Sequence, residues 1–157
     1  MAAEQAAKIS TRRVTVIPTM SIPQGLAAML AFDYDAKPDQ NAAVMTQMAQ
    51  NVGTGQITFA ARDSEYDGKK IHEGELLALE NGKVSFTEQT LSKAAVRLVK
   101  QLLKKDSSFV TLIYGSDVTE EAAHEVEHSV REKLPDTVDL ALVKGEQPVY
   151  YFIISVE

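Results

Sequence analysis

The run Val149-Tyr150-Tyr151-Phe152-Ile153-Ile154-Ser155-Val156 decides the architecture of this chain. Apart from Ser155, every residue in it is apolar or aromatic. Successive side chains of a strand point to opposite faces, so a strand apolar on both faces needs cover on both. Such strands belong in the middle of sheets flanked by other layers. Outward from this run, Val138 to Val143 reads as a second strand and Phe109 to Tyr114 as a third. Between them, Gly115-Ser-Asp117 leads into a helix that ends near Leu134-Pro135. Upstream, Leu91, Ala94, Ala95, Leu98 and Leu102 keep helical spacing, which predicts a helix over 88–104 with Thr87 as its cap.

The middle of the chain alternates differently. Gln56 to Ala61 reads as a half-buried strand, and the Asn81-Gly82 pair predicts a hairpin with arms Leu76–Glu80 and Lys83–Phe86. Asp67-Gly68 is a further turn signal. In the N-terminal third, Met1 to Lys8 is Ala-rich and helix-favouring, and Val14 to Ile17 reads as a short buried strand ended by Pro18. Helices are expected over 24–32, with Pro23 near the first turn, and over 39–52, stopped by Gly53-Thr-Gly55. Helices alternating with apolar strands predict one α/β layered domain over residues 1–157. Its sheet is expected to be mostly parallel, flanked by helices, with the antiparallel hairpin added.

Composition narrows the function. The 157 residues are 45% apolar and 24% charged, ordinary for a soluble globular protein. A net charge of −6 argues against non-specific binding to nucleic acid or to an acidic membrane surface. The chain has no cysteine, so it offers no disulfide, thiolate nucleophile or Cys-based zinc site. No apolar run is long enough to cross a bilayer, and the N-terminus carries acid and amide groups where a signal peptide needs an apolar core. A cytoplasmic protein is expected.

Three motifs carry candidate chemistry. His124-Glu125-Val126-Glu127-His128 has the H-E-x-x-H form that holds zinc on a helix. Ala122, Ala123, Val126, Val130 and Leu134 form the buried face of that helix, however. At about 100° per residue, both imidazoles point away from it into solvent. No metal site is therefore assigned. Second, Val16 to Leu26 places Thr19 and Ser21 between a strand end and a helix start. There, free N–H groups near Gln24 and Gly25 and the helix dipole could hold an anion. The same two hydroxyls could simply cap the helix. Third, Arg62 could grip a carboxylate or an acidic loop, or pair locally with Asp63 or Glu65. No P-loop, dinucleotide fingerprint or G-x-S-x-G elbow occurs, and His72 reads as a surface residue. No catalytic residue is assigned.

These residues resemble a family. The string Val16-Ile-Pro-Thr-Met-Ser-Ile-Pro-Gln-Gly-Leu-Ala-Ala-Met-Leu-Ala-Phe32 is similar to the C-terminal domain of the fatty acid kinase ATP-binding subunit, the dihydroxyacetone-kinase-like (DhaL-type) fusion protein. Gly55-Gln-Ile-Thr58, Arg62-Asp63 with Asp67-Gly68, Tyr114 to Glu121 and Gln147 to Glu157 are similar to it in the same order. The resemblance implies a fold related to DegV and dihydroxyacetone kinase domains. It also implies that this segment is excised from a larger subunit, whose kinase domain would hold ATP and Mg²⁺. The implied partner is a DegV-type fatty-acid-binding protein, and the implied role is to dock it for phosphorylation of the acyl carboxylate. The family's catalytic residues fall upstream, so none is carried over and no cofactor is expected in this segment. A strand that precedes the Ala-rich helix in the family is missing, and the edge left unpaired would invite a homodimer. The competing expectation is a small-molecule site for a fatty acid or other anion on the loop from Thr19 to Gly25.

Overall fold

A computed structural model describes residues 2–66 and 68–157. The chain divides into two compact units, one ending at Val52 and the other running from Gly53 to Glu157.

The first unit is helical. Helix α1 spans Ala2–Ile9, α2 spans Ile22–Leu30 and α3 spans Pro38–Asn51. Ser21 caps α2, with Pro23 in its first turn, where a missing N–H costs nothing. Pro38 opens α3 in the same way. The loop between them is tied to α3 by Asn41, which is buried. Its Oδ1 accepts from Asp33 N at 2.9 Å, and its Nδ2 donates to Asp33 O at 2.6 Å. Val14 to Ile17, expected as a buried strand, forms none, and Val14 is exposed. β-branched residues favour extended backbone, but a strand also needs a neighbour to pair with, and Pro18 removes a donor. No described segment of this unit supplies that neighbour.

The second unit is a six-stranded sheet with two helices. In chain order the elements are β1 (Gly53–Phe59), β2 (Ser64–Tyr66), β3 (Lys69–Ile71), β4 (Leu76–Glu80), β5 (Lys83–Glu88), α4 (Leu91–Leu102), β6 (Phe109–Tyr114), α5 (Glu120–Arg131), β7 (Asp139–Lys144) and β8 (Phe152–Val156). The strand order is β5-β4-β1-β8-β6-β7, and β2 pairs with β3 in a separate two-stranded sheet. The Asp67 half of the expected Asp67-Gly68 turn lies outside the described residues. Strand β8 is buried along its whole length and sits between β1 and β6, as its two apolar faces require.

The layered α/β organisation holds, but the sheet is not mostly parallel. Among the described residues only β6 and β7 run parallel; the other neighbours in the main sheet are antiparallel. Parallel pairing needs a long crossover, and α5 supplies one between β6 and β7. The short return after β7 instead sends β8 back antiparallel, into the gap between β6 and β1.

Helix α4 starts three residues later than the spacing suggested. Thr87 and Glu88 continue the pairing with Leu77 and Leu76, so β5 runs through Glu88. The cap is Thr90, whose hydroxyl accepts from Lys93 N at 3.3 Å. Leu98 and Leu102 of α4, Val126 and Val130 of α5, and Ile57, Leu112, Phe152 and Ile154 of the sheet then form one core.

One loop departs from ordinary backbone geometry. Val149 has φ 72°, and Tyr150 N donates to Pro148 O at 2.8 Å, a γ-turn of the rare hand. The loop is held by Thr58 Oγ1, which donates to Val149 O at 2.7 Å, and by Gln147 Nε2, which donates to Ile113 O at 3.1 Å.

Candidate functional site

The loop from Thr19 to Gly25 is built around the start of α2. Ser21 Oγ accepts from Gln24 N at 3.3 Å, while Gln24 Oε1 accepts from Met20 N at 2.8 Å. These reciprocal bonds form a variant of the capping box, because the two residues stand three apart at a helix start. Thr19 N donates to Ile17 O and Gly25 N to Ser21 O. The backbone N–H groups of Thr19, Met20, Gln24 and Gly25 are thus all engaged within the loop.

What surrounds that loop is apolar. Thr19 lines a cavity of about 410 Å³ with Ile17, Ile22, Leu26, Met29 and Met45. A second cavity of about 410 Å³ shares Ile17 and Met45 and is bounded by Phe32 and Tyr34. Those two rings meet edge to face with centroids 4.9 Å apart.

Helix α2 itself, Ile22-Pro-Gln-Gly-Leu-Ala-Ala-Met-Leu30, contains no charged residue. A helix apolar on all sides is ordinarily enclosed. Here Leu30 is 88% exposed, with Met20 before the helix at 82% and Tyr34 after it at 93%. Exposed apolar side chains, where they form one patch, mark interaction sites on folded proteins. Sequence reading singled out the hydroxyls of this segment and passed over its apolar residues. The signal available was the absence of any charge between Ser21 and Phe32.

Arg62 lies in the second unit and is exposed, and the local ion pair with Asp63 or Glu65 does not form. Asp63 instead accepts from Glu73 N at 2.8 Å and stands 3.9 Å from His72 Nδ1. The histidines of the H-E-x-x-H run stand where helical geometry put them, with side chains 60% and 78% exposed. His124 Nδ1 lies 2.9 Å from Glu127 Oε2, and His128 Nε2 lies 3.5 Å from Glu132 Oε1. Each imidazole thus faces a carboxylate of its own helix or cap. Among the described residues no helix is long and apolar enough to cross a membrane.

This arrangement of strands and helices is a DegV-like α/β fold. A DegV-family protein from Corynebacterium glutamicum superposes with a TM-score of 0.67 at 18% identity, over 99% of this chain and 68% of that one. A protein from Thermotoga maritima, described as revealing a fatty acid binding function, superposes at 0.63 and 15% identity, over 99% of this chain and 63% of its own. At these identities the likeness concerns the fold.

The sequence carries the relationship further. The chain belongs to the FakA-like C-terminal family of fatty acid kinase, whose model matches residues 1–157. Protein YloV of Bacillus subtilis is 37% identical over all 157 residues, which make up 28% of that protein. An uncharacterised protein of Staphylococcus aureus is 34% identical over the same residues, again 28% of its length. The chain therefore spans little more than a quarter of the curated relatives it matches.

Proposed function

We propose that this domain docks a DegV-type fatty-acid-binding protein for a fatty acid kinase, and does no chemistry alone. The observation that carries the proposal is α2, an uncharged helix whose last residue Leu30, like Met20 just before the helix, stands in water. Membership of the FakA-like C-terminal family supports a place within a fatty acid kinase subunit, where a DegV-type protein is the partner this reading assigns. In this reading ATP and Mg²⁺ bind elsewhere in the longer kinase chain, and the domain presents the acyl carboxylate carrier to them.

Titration calorimetry with a DegV-type acyl-binding protein tests it. The domain should bind, and Met20→Glu/Leu30→Glu should weaken binding by about tenfold or more, since two apolar anchors are lost from a small interface. The melting temperature should stay the same. Absence of binding by the unaltered domain refutes the proposal.

The two cavities of about 410 Å³ beside Thr19 favour a second reading, a binding site for the apolar tail of a fatty acid. A ligand held there raises the melting temperature in proportion to the logarithm of its concentration over Kd. Palmitate should therefore stabilise the domain under this reading and leave it unchanged under the first. Neither Met20 nor Leu30 lines these cavities, so the double variant separates the two.

A further inference from the structure

We infer that the groove between α4 and α5 receives an acidic polypeptide segment. The groove encloses about 640 Å³ and is bordered by Lys93, Arg97 and Lys100 on α4 and by Lys133 just past α5, with Val96 on its floor. On a chain of net charge −6 this is a local reversal of sign.

The charges divide into those already engaged and those left open. Arg97 Nη1 donates to Glu88 Oε1 at 3.1 Å, and its guanidinium lies 4.0 Å from the centre of the Phe86 ring. Glu132 faces His128 at 3.5 Å. Lys93, Lys100 and Lys133 have no acidic group in ion-pair reach among the described residues. All three are exposed, and their stems border the half-buried Val96.

Spacing selects the occupant. Lys93 and Lys100 lie two turns apart on one helix face, a rise of about 10.5 Å. Three separate ammonium groups offer more ion pairs than a single phosphate fills. Carboxylates two or four residues apart share one face of an extended peptide, about 7 or 13 Å from one another, and the flexible lysine stems reach either spacing. The repulsion from the rest of a −6 chain acts on every polyanion alike, but a membrane surface cannot enter a groove between two helices.

Nuclear magnetic resonance on the ¹⁵N-labelled chain decides the matter, with an acetylated hexa-glutamate peptide as probe. The peptide should shift amide signals of residues 93–101 and 129–133, with an affinity that falls as salt rises. Lys93→Glu/Lys100→Glu/Lys133→Glu should weaken binding by about tenfold or more. Its melting temperature should stay unchanged, because the three side chains are exposed. Lys93→Arg/Lys100→Arg/Lys133→Arg should bind like the original. No shift at millimolar peptide, or shifts centred elsewhere, overturns the inference. So does tighter binding in the groove by inorganic phosphate, hexathymidylate or phosphatidylglycerol vesicles.

Discussion

Leu98 of α4 sits directly on Gly55 of β1: a Cβ placed on Gly55 would lie 2.6 Å from Leu98 Cδ2 and 2.8 Å from its Cγ. The helix reaches the sheet this closely only because Gly55 has no side chain. Leu98 is completely buried, so it cannot swing out into water. Gly55→Ala should therefore cost about 1–3 kcal/mol through overpacking. Leu98→Ala alone should cost about 2–5 kcal/mol through the cavity it leaves. The double variant should be more stable than the sum of the two costs predicts, because the added methyl occupies part of that cavity. Urea unfolding of the four proteins checks this; strict additivity would mean that the two residues do not share the space.

Arg131 guards the outer edge of the sheet. Its Nη1 donates to Val138 O at 3.0 Å and its Nη2 to Leu140 O at 3.3 Å. Leu140 alternates with residues whose backbone groups face β6, so these carbonyls point away from the rest of the sheet. Open edges invite pairing with a second chain. Arg131→Ala should lower stability by about 1 kcal/mol, reduced from the buried value because the side chain is exposed. It should also increase concentration-dependent association relative to the original chain. Light scattering over a concentration series, alongside thermal unfolding, reads both effects.

Val149 should be improvable. A β-branched residue held at φ 72° costs about 1–3 kcal/mol, whereas glycine adopts that conformation without penalty. Glycine loses about 0.5–1 kcal/mol more entropy on folding. The strain term is the larger, so Val149→Gly should raise the melting temperature by a few degrees. A lower melting temperature would show that the side chain contributes packing that exceeds the strain.

Zinc should not bind in a defined stoichiometry. The imidazoles of His124 and His128 are exposed and already face Glu127 and Glu132. Calorimetry with micromolar zinc should give the same weak trace for the original chain and for His128→Ala. One-to-one binding abolished by that substitution would overturn the solvent-facing assignment.

Much of the second unit was legible in the sequence, and for identifiable reasons. The apolar run ending at Val156 placed a strand at the sheet centre, because alternation leaves no exposed face for such a strand. The buried stripe of α4, from Ala94 to Leu102, followed from spacing alone. Strand direction was not legible: it depends on where each connection re-enters the sheet, and β8 enters antiparallel between two segments far apart in sequence. Val14 to Ile17 misled because composition reports a preference for extended backbone and says nothing of a pairing neighbour. Thr87 misled because capping residues stand at both Thr87 and Thr90, and only the pairing of β5 with β4 selects between them. At the candidate site, Thr19 and Ser21 were visible as polar residues at a helix start. The bond from Met20 N to Gln24 Oε1, which uses up a donor there, depends on one side-chain rotamer and leaves no trace in sequence.

The pairing of β8 with both β1 and β6 has a temporal consequence. Gly53 lies opposite Val156, and Val110 lies opposite the same residue, so the last strand in sequence joins segments made long before it. Until residues 152–156 leave the ribosome, β5-β4-β1 and β6-β7 are two half-sheets with facing, unsatisfied rims. The six-stranded sheet can therefore close only once β8 is available, and contacts of such long sequence separation slow that step.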